Sequence, residues 1–318
     1  MNRTMNRMKP FFSSSLLFLA LLAVCSTGRA GDRSGTVSEL FLKIGTSARS
    51  ISMGGAQVAI AEGVSSMAYN PAGIMSVANY GFGATYTAWL ADMQHSYAGI
   101  VKNVPGLGAI GVSVTLLTTD DIPETTPSAP EGTGSTFRAS DYAFSVAFAR
   151  QVTEQFRVGI NGKIIQSYLL NKQLGASSFA FDIGTLYDIP ILQSHIGVSL
   201  TNIGKDVKFI NETYSLPTAL RFGVLVDVMK NESNSFVTTL QIARVNDADE
   251  QYNFGTEYVF GNMVALRGGY KFAYDQENVT AGFGVRLNSL GFNSTLDYGF
   301  NNFKYLPGTH SFTFEMQF

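Results

Sequence analysis

From Gly81 to Phe318 the sequence repeats one unit: about ten residues in which apolar side chains alternate with small, polar or charged ones. A period of two is the signature of a strand with two unlike faces. Segments of this kind read at 81–91, 94–102, 107–117, 140–150, 155–167, 176–187, 194–202, 218–228, 235–244, 251–260, 263–273, 278–287, 290–300 and 309–318, about fourteen in all. The late ones are sharpest. Val279, Ala281, Phe283, Val285 and Leu287 oppose Thr280, Gly282, Gly284 and Arg286, and the last nine residues set Phe312, Phe314, Met316 and Phe318 against Ser311, Thr313, Glu315 and Gln317. An apolar stripe running to the final residue is foreign to soluble chains, whose termini are usually polar and frayed.

Alternation alone fits two folds. In a soluble sandwich the apolar face meets a core; in a membrane barrel it meets lipid and the polar face lines the lumen. The connections separate them. Links after even-numbered segments are mostly tight (Asn103 to Gly106, Val152 to Glu154, Gly261-Asn262, Asn288-Ser289), whereas Thr118 to Ala139 and Ile203 to Pro217 follow odd-numbered ones. Short turns at one end and long loops at the other belong to an outer-membrane barrel, and they put both chain ends on the short-turn, periplasmic side. Two further features agree. Only 14% of residues are charged, against about 25% in an average domain. Aromatics gather near segment ends, at Tyr80, Phe82, Tyr86, Trp89, Tyr252, Phe260, Tyr270, Phe272, Tyr298, Phe300 and Phe318, as interfacial girdles do. The expected fold is all-β: a transmembrane antiparallel barrel of about 14 strands over residues 80–318.

Residues 1–30 have the build of a cleaved export signal. Arg3, Arg7 and Lys9 precede the apolar run Leu16–Val24, too short to span a bilayer as a helix, and Gly28-Arg29-Ala30 supplies small residues at the −3 and −1 positions. The rival is a lipoprotein signal acylating Cys25, which Val24 fits poorly. Cleavage after Ala30 removes the sole cysteine, and with it disulfide and thiolate chemistry. It also removes four cations and no acid, leaving an acidic chain with no basic stretch suited to nucleic acid.

Few residues point to chemistry. Gly106 to Gly111 has GxGxxG spacing but runs straight into a β-branched strand, so a tight turn explains it better than a dinucleotide site. His95, His195 and His310 are isolated in sequence, His95 and His310 at strand starts where polar anchoring is ordinary, and Asp120-Asp121 lacks the alternating acids of a calcium loop. No nucleophile–base–acid set stands in a nucleophile-elbow setting. The reading is of a protein without catalysis, metal or cofactor.

Residues 31–79 differ from the rest. They are rich in small side chains, have no clean period, and carry short helical turns around Ser47–Met53 and after Asn70, well sized for a plug inside the barrel. The stretch ELFLKIGTSARSISMGGAQVAIAEGVSSMAYNPAGI resembles the N-terminal signature of the PorV/PorQ family of FadL-like outer-membrane barrels, at Gly45, Ala48, Arg49, Met53, Gly54, Gly55, Ala56, Ala59, Asn70, Pro71, Ala72 and Gly73. LPTALRFGV, VALRGGYKF, VTAGFGVRL, LDYGF and the closing THSFTFEMQF resemble its late strands. The resemblance implies two functions. One is an accessory role in type IX protein secretion and surface attachment, with secretion components and secreted cargo as partners. The other is passive transport of hydrophobic small molecules. It makes Arg49, Met53, Gly54, Gly55, Ala56, Asn70, Pro71, Ala72 and Gly73 a plug motif, structural or gating. In a lumen Arg49 needs an acidic wall partner, for which Glu257 and Asp297 are candidates. Phe312, Phe314, Met316 and Phe318 face lipid in a last strand that must pair with the first, and they form the kind of C-terminal signal that barrel-assembly machinery reads.

Overall fold

The computed structural model describes residues 35–169, 174–209, 211–289 and 292–318. The export signal expected over 1–30, and Cys25 with it, lie outside the described residues. Fourteen antiparallel strands close into one barrel. They are β1 Tyr80–Ala88, β2 Gln94–Val104, β3 Gly108–Thr118, β4 Ser140–Gln151, β5 Phe156–Leu169, β6 Leu174–Ile189, β7 Ser194–Gly204, β8 Ala219–Lys230, β9 Ser235–Val245, β10 Gln251–Phe260, β11 Val264–Phe272, β12 Glu277–Ser289, β13 Phe292–Phe303 and β14 Thr309–Gln317. Each pairs with its neighbours in sequence, and β1 pairs with β14 from Gly81↔Gln317 to Ala88↔His310, so no edge is left open. Beyond the ladder, the backbones of Tyr80 and Phe318 exchange two hydrogen bonds (2.9 and 3.0 Å), and their rings stack at 5.5 Å. Among the described residues no helix is long and apolar enough to cross a membrane; the strands do so instead.

The expected faces hold. Phe283, Leu296, Phe312, Phe314 and Phe318 are exposed on the outer wall, while Thr280, Asp297, Ser311 and Thr313 are buried inside. Two expectations fail at the end of β1. The strand stops at Ala88 rather than 91, because Ala91 and Asp92 take left-handed φ of 54° and 56° and turn the chain. Trp89 is not a girdle residue: it turns inward, edge-on to Phe303 at 5.9 Å, and joins the apolar cluster that closes the long-loop end. His95 is likewise no surface anchor. It points inward from β2, fully buried, with no hydrogen-bond partner for either ring nitrogen among the described residues. His310 does face outward and bonds Tyr298 Oη at 2.8 Å.

The barrel is filled by residues 35–79, which form two parts. Residues 48–76 make a ring at mid-height: helix α1 (Ala48–Ser52), then 3₁₀ turns Val64–Ala68 and Pro71–Ser76. Residues 35–44 form a strap at the other end from the short turns. Val37 pairs with Ser215, Lys43 with Asp247, and Glu39 with Ser167, all near long-loop termini of the strands. The described N-terminal stretch therefore reaches the long-loop side. Only the two ends of the barrel itself share the short-turn side, because the ring carries the chain through the lumen before β1 begins.

Candidate functional site

The ring lies close against the wall, in places backbone to backbone, which requires glycine in the wall. Eleven of the fourteen strands offer one to it, from Gly83 of β1 round to Gly299 of β13. A Cβ at Gly159 would fall on Pro71 and Ala72, at Gly255 on the Met53 carbonyl, at Gly269 on Gly54, and at Gly299 on the Ala48 carbonyl. Gly54 and Gly55 answer from the ring side, with φ of 68° and 70° that other residues rarely adopt. The remaining strands use other means. In β4, Ala147 packs with Val64, Met67 and Ile74. In β9 and β14, polar side chains bond the ring backbone. Gln241 Oε1 accepts from the Gln57 and Val58 amides (3.0 Å each), Thr313 Oγ1 from Ala48 N (2.8 Å), and Glu315 Oε1 from Ser65 N (3.0 Å).

Irregular backbone at membrane depth is tolerated only where its polar groups are satisfied by protein. Wall side chains supply the partners here. Thr280 Oγ1 accepts from Gly54 N (2.8 Å) and donates to Ser52 O (2.9 Å); Asn253 Nδ2 donates to Gly54 O (2.6 Å); Tyr97 Oη donates to Val64 O (2.8 Å). Asn70, fully buried, serves both sides. Its Oδ1 caps the turn by accepting from Ala72 N (3.3 Å), and its Nδ2 donates to Val58 O (2.9 Å) in the ring and Thr185 O (3.0 Å) in β6. Pro71 sits at the first position of that turn, where its missing N–H costs nothing.

Two charged networks pin the ring at opposite sides. On one, Arg49 grips Glu257 bidentately (Nε 3.0 Å, Nη2 2.9 Å) and reaches Glu62 with Nη1 (3.0 Å). Arg267 then joins Glu257 (2.6 Å) to Asp297 (2.7 Å). Glu257 takes Arg49 directly, whereas Asp297, the other candidate, is reached through Arg267. The second network was not read from sequence. Lys163 of β5 pairs with the fully buried Asp182 of β6 (2.8 Å) and donates to Asn202 (2.7 Å), and Asn161 spans Asp182 (2.9 Å) and Met67 O of the ring (3.3 Å). It is built on an irregularity: β7 shifts register against β6 between Phe181 and Ile183, and Asn202 adopts φ 59°, which aims its N–H at Asp182 (2.8 Å). The signal available was charge on the small-residue face of NGK and FDIG. At the short-turn end, His195 is not isolated either: it meets Asp188 (2.8 Å), which also binds Arg157 (2.6 Å).

The two mouths differ. Towards the short turns the lumen opens as a cavity of about 240 Å³ that ends on Ser47 and on Ser50 and Ser65 of the ring, with the charged side chains Arg49, Glu62, Arg267 and Arg286 in its walls. At the long-loop end Phe41 and Ile44 of the strap close an apolar cluster with Ala143, Ile165, Ala180, Val207 and Leu216. Of the motif residues, Arg49, Met53, Gly54, Gly55, Ala56, Asn70, Pro71, Ala72 and Gly73 all belong to the ring. Phe312, Phe314, Met316 and Phe318 lie apart from it, on the outer wall. Among the described residues no group of acids, histidines or cysteines is placed to hold a metal. Asp121 is occupied by Arg138 (2.6 Å).

A family model described as "Type IX secretion system protein PorV" matches residues 28–248. No curated protein matches the sequence. Solved structures with a similar fold include a monoaromatic hydrocarbon channel, CymD (TM-score 0.61, 13% identity, 86% of this chain and 96% of that one). The toluene transporter TodX of Pseudomonas putida gives a TM-score of 0.60 at 12% identity, over 86% and 97% of the two chains. TbuX, the toluene transporter of Ralstonia pickettii, gives 0.58 at 14%, over 86% and 98%.

Proposed function

The chain belongs to the PorV family of type IX secretion proteins, and from that premise we propose that it is an outer-membrane accessory of protein secretion and surface attachment that works through its mouths and rim rather than as a conduit. Its location is the outer membrane, and fold and family are of a non-enzymatic kind. The observation that carries the reading is the ring of glycine contacts. A plug seated on glycines of eleven strands, with its backbone against five of them, is a structural part of the wall. A motif residue such as Asn70 then holds the ring in place, and gating is the lesser role. Secretion components and cargo are the proposed partners on the long-loop side. Phe318, stacked on Tyr80 at the seam, is the proposed handle for assembly machinery.

The fold neighbours favour a second reading, passage of hydrophobic solutes. Against it stands the cavity facing the short turns, whose walls carry Arg49, Glu62, Arg267 and Arg286. Such a lining suits water and ions, whereas small-molecule sites are mostly apolar with few polar groups. Deleting the gene decides between the readings. Loss of cargo from the cell surface is expected. Unchanged surface cargo with impaired growth on a hydrophobic substrate contradicts the proposal.

A further inference from the structure

Arg49, Lys163, Arg267 and Lys271, inside the barrel, each hold a carboxylate at 3.0 Å or less. Arg221 of β8 does not. It projects inward two residues from Gly223, which lies against Val58 and Ala59 of the ring. It is half-buried, and its hydrogen bond runs from Nη1 to a hydroxyl, Thr201 Oγ1 (2.8 Å). Among the described residues no carboxylate stands at ion-pair distance from it. The acid within its electrostatic reach is Asp182, whose oxygens already accept from Lys163 (2.8 Å), Asn161 (2.9 Å) and the Asn202 amide (2.8 Å). Two cations therefore face one carboxylate. Tyr274, the other ionisable neighbour, exchanges hydrogen bonds with Asn253 (3.0 and 3.3 Å). Directly across the β7–β8 ladder from Arg221 lies Ser199, 1% exposed, whose Oγ has no hydrogen-bond partner among the described residues. Cross-strand partners hold their Cβ atoms about 5 Å apart, so a guanidinium and a hydroxyl donor address the same space.

Ionisable side chains at membrane depth pair with one another or mark a ligand site. With Nη1 on Thr201, Arg221 keeps its Nε–Nη2 edge, the edge with which Arg49 grips Glu257. That fork matches a planar oxyanion, two oxygens at a time. We propose that Arg221 and Ser199 form a lumenal site for a small carboxylate of single charge, which accepts two hydrogen bonds from the guanidinium edge and one from the serine hydroxyl. The ring on one side, and the apolar cluster that closes the long-loop end on the other, limit the ligand to a small one. The site is independent of the secretion reading.

The test uses full-length protein in detergent and isotope-labelled formate at fixed ionic strength, followed by NMR line broadening. Wild type should broaden the formate signal, and unlabelled acetate should reverse the broadening. Arg221→Gln is expected to weaken binding at least about ten-fold, as loss of charge-assisted hydrogen bonds does. Arg244→Gln, exposed on the outside of β9, should leave it unchanged. No broadening by wild type, broadening that acetate does not reverse, equal binding by Arg221→Gln, or an equal loss in Arg244→Gln overturns the proposal. Should Arg221→Gln lose its heat-modifiable gel mobility, Ser199→Ala decides. A few-fold loss of formate binding supports the site, and unchanged binding overturns it.

Discussion

The ring and the strap are neighbours in sequence and opposites in physics. The ring, 48–76, is irregular, yet its buried backbone groups find wall partners, and glycines bring its main chain into van der Waals contact with the wall. The strap, 35–44, leans on one aromatic side chain, one backbone bond, the Glu39–Ser167 contact and one ion pair whose lysine is a third exposed. The difference teaches that lacking regular secondary structure does not make a segment loose. What decides is whether its backbone polar groups and its contact surface are matched.

Substitutions can break the comparison, and the largest effect is expected at the wall glycines. Gly268 and Gly269 are adjacent in β11 but face opposite ways: a Cβ at Gly269 meets Gly54 and Met53, and one at Gly268 meets nothing. Gly269→Leu should cost more than about 3 kcal/mol by overpacking and abolish the heat-modifiable folded band, while Gly268→Leu stays within about 0.5 kcal/mol. Next comes Glu257→Gln, which leaves Arg49 and Arg267 without their shared carboxylate. Breaking one member of a buried pair costs about 3–5 kcal/mol, measurable as a lower urea midpoint. Asn70→Ala removes a cap and uncovers two buried carbonyls, at about 2 kcal/mol.

Strap changes should be smaller. Lys43 is a third exposed, so Lys43→Met should cost at most about 1 kcal/mol and speed exchange of strap amides alone. The smallest effect is pH. Burial, partly countered by Ser167 and reinforced by Asp141, raises the Glu39 carboxyl to about 7. Its contribution to holding the strap is complete below the ordinary carboxyl value of 4.5 and lost as the pH rises through about 7. Strap amides should exchange faster at pH 8 than at pH 5 after correction for intrinsic rates, and Glu39→Gln should flatten that dependence.

Much of this was legible in the sequence, because strands announce themselves by period two. The lipid face, the seam between Phe312–Phe318 and the first strand, and the turns at Ala48 and Pro71 follow from local pattern. The acid opposite Arg49 could be narrowed to two. Legibility stops where strand registers must be compared. Alternation sets Gly269 inward and Gly268 outward, but only the stagger of the closed barrel puts the inward Gly159, Gly223 and Gly269 at the height of the ring, while the inward Gly284 meets Asp297 and Arg267 instead. The Lys163–Asp182–Asn202 network depends on an irregularity in β7 that carries no glycine or proline to mark it. Trp89 faces inward because it continues the alternation of Thr85 and Thr87 in extended backbone, so its parity and not its place near a strand end was the signal.

Hydrogen exchange on the full-length protein in detergent tests the central claim most directly. Amides of the ring that bond wall side chains, Ala48, Gly54 and Ser65, should exchange at least about 100-fold more slowly than those of the strap, close to the slow amides of the strands. Ring and strap exchanging together, as one hatch, would contradict it.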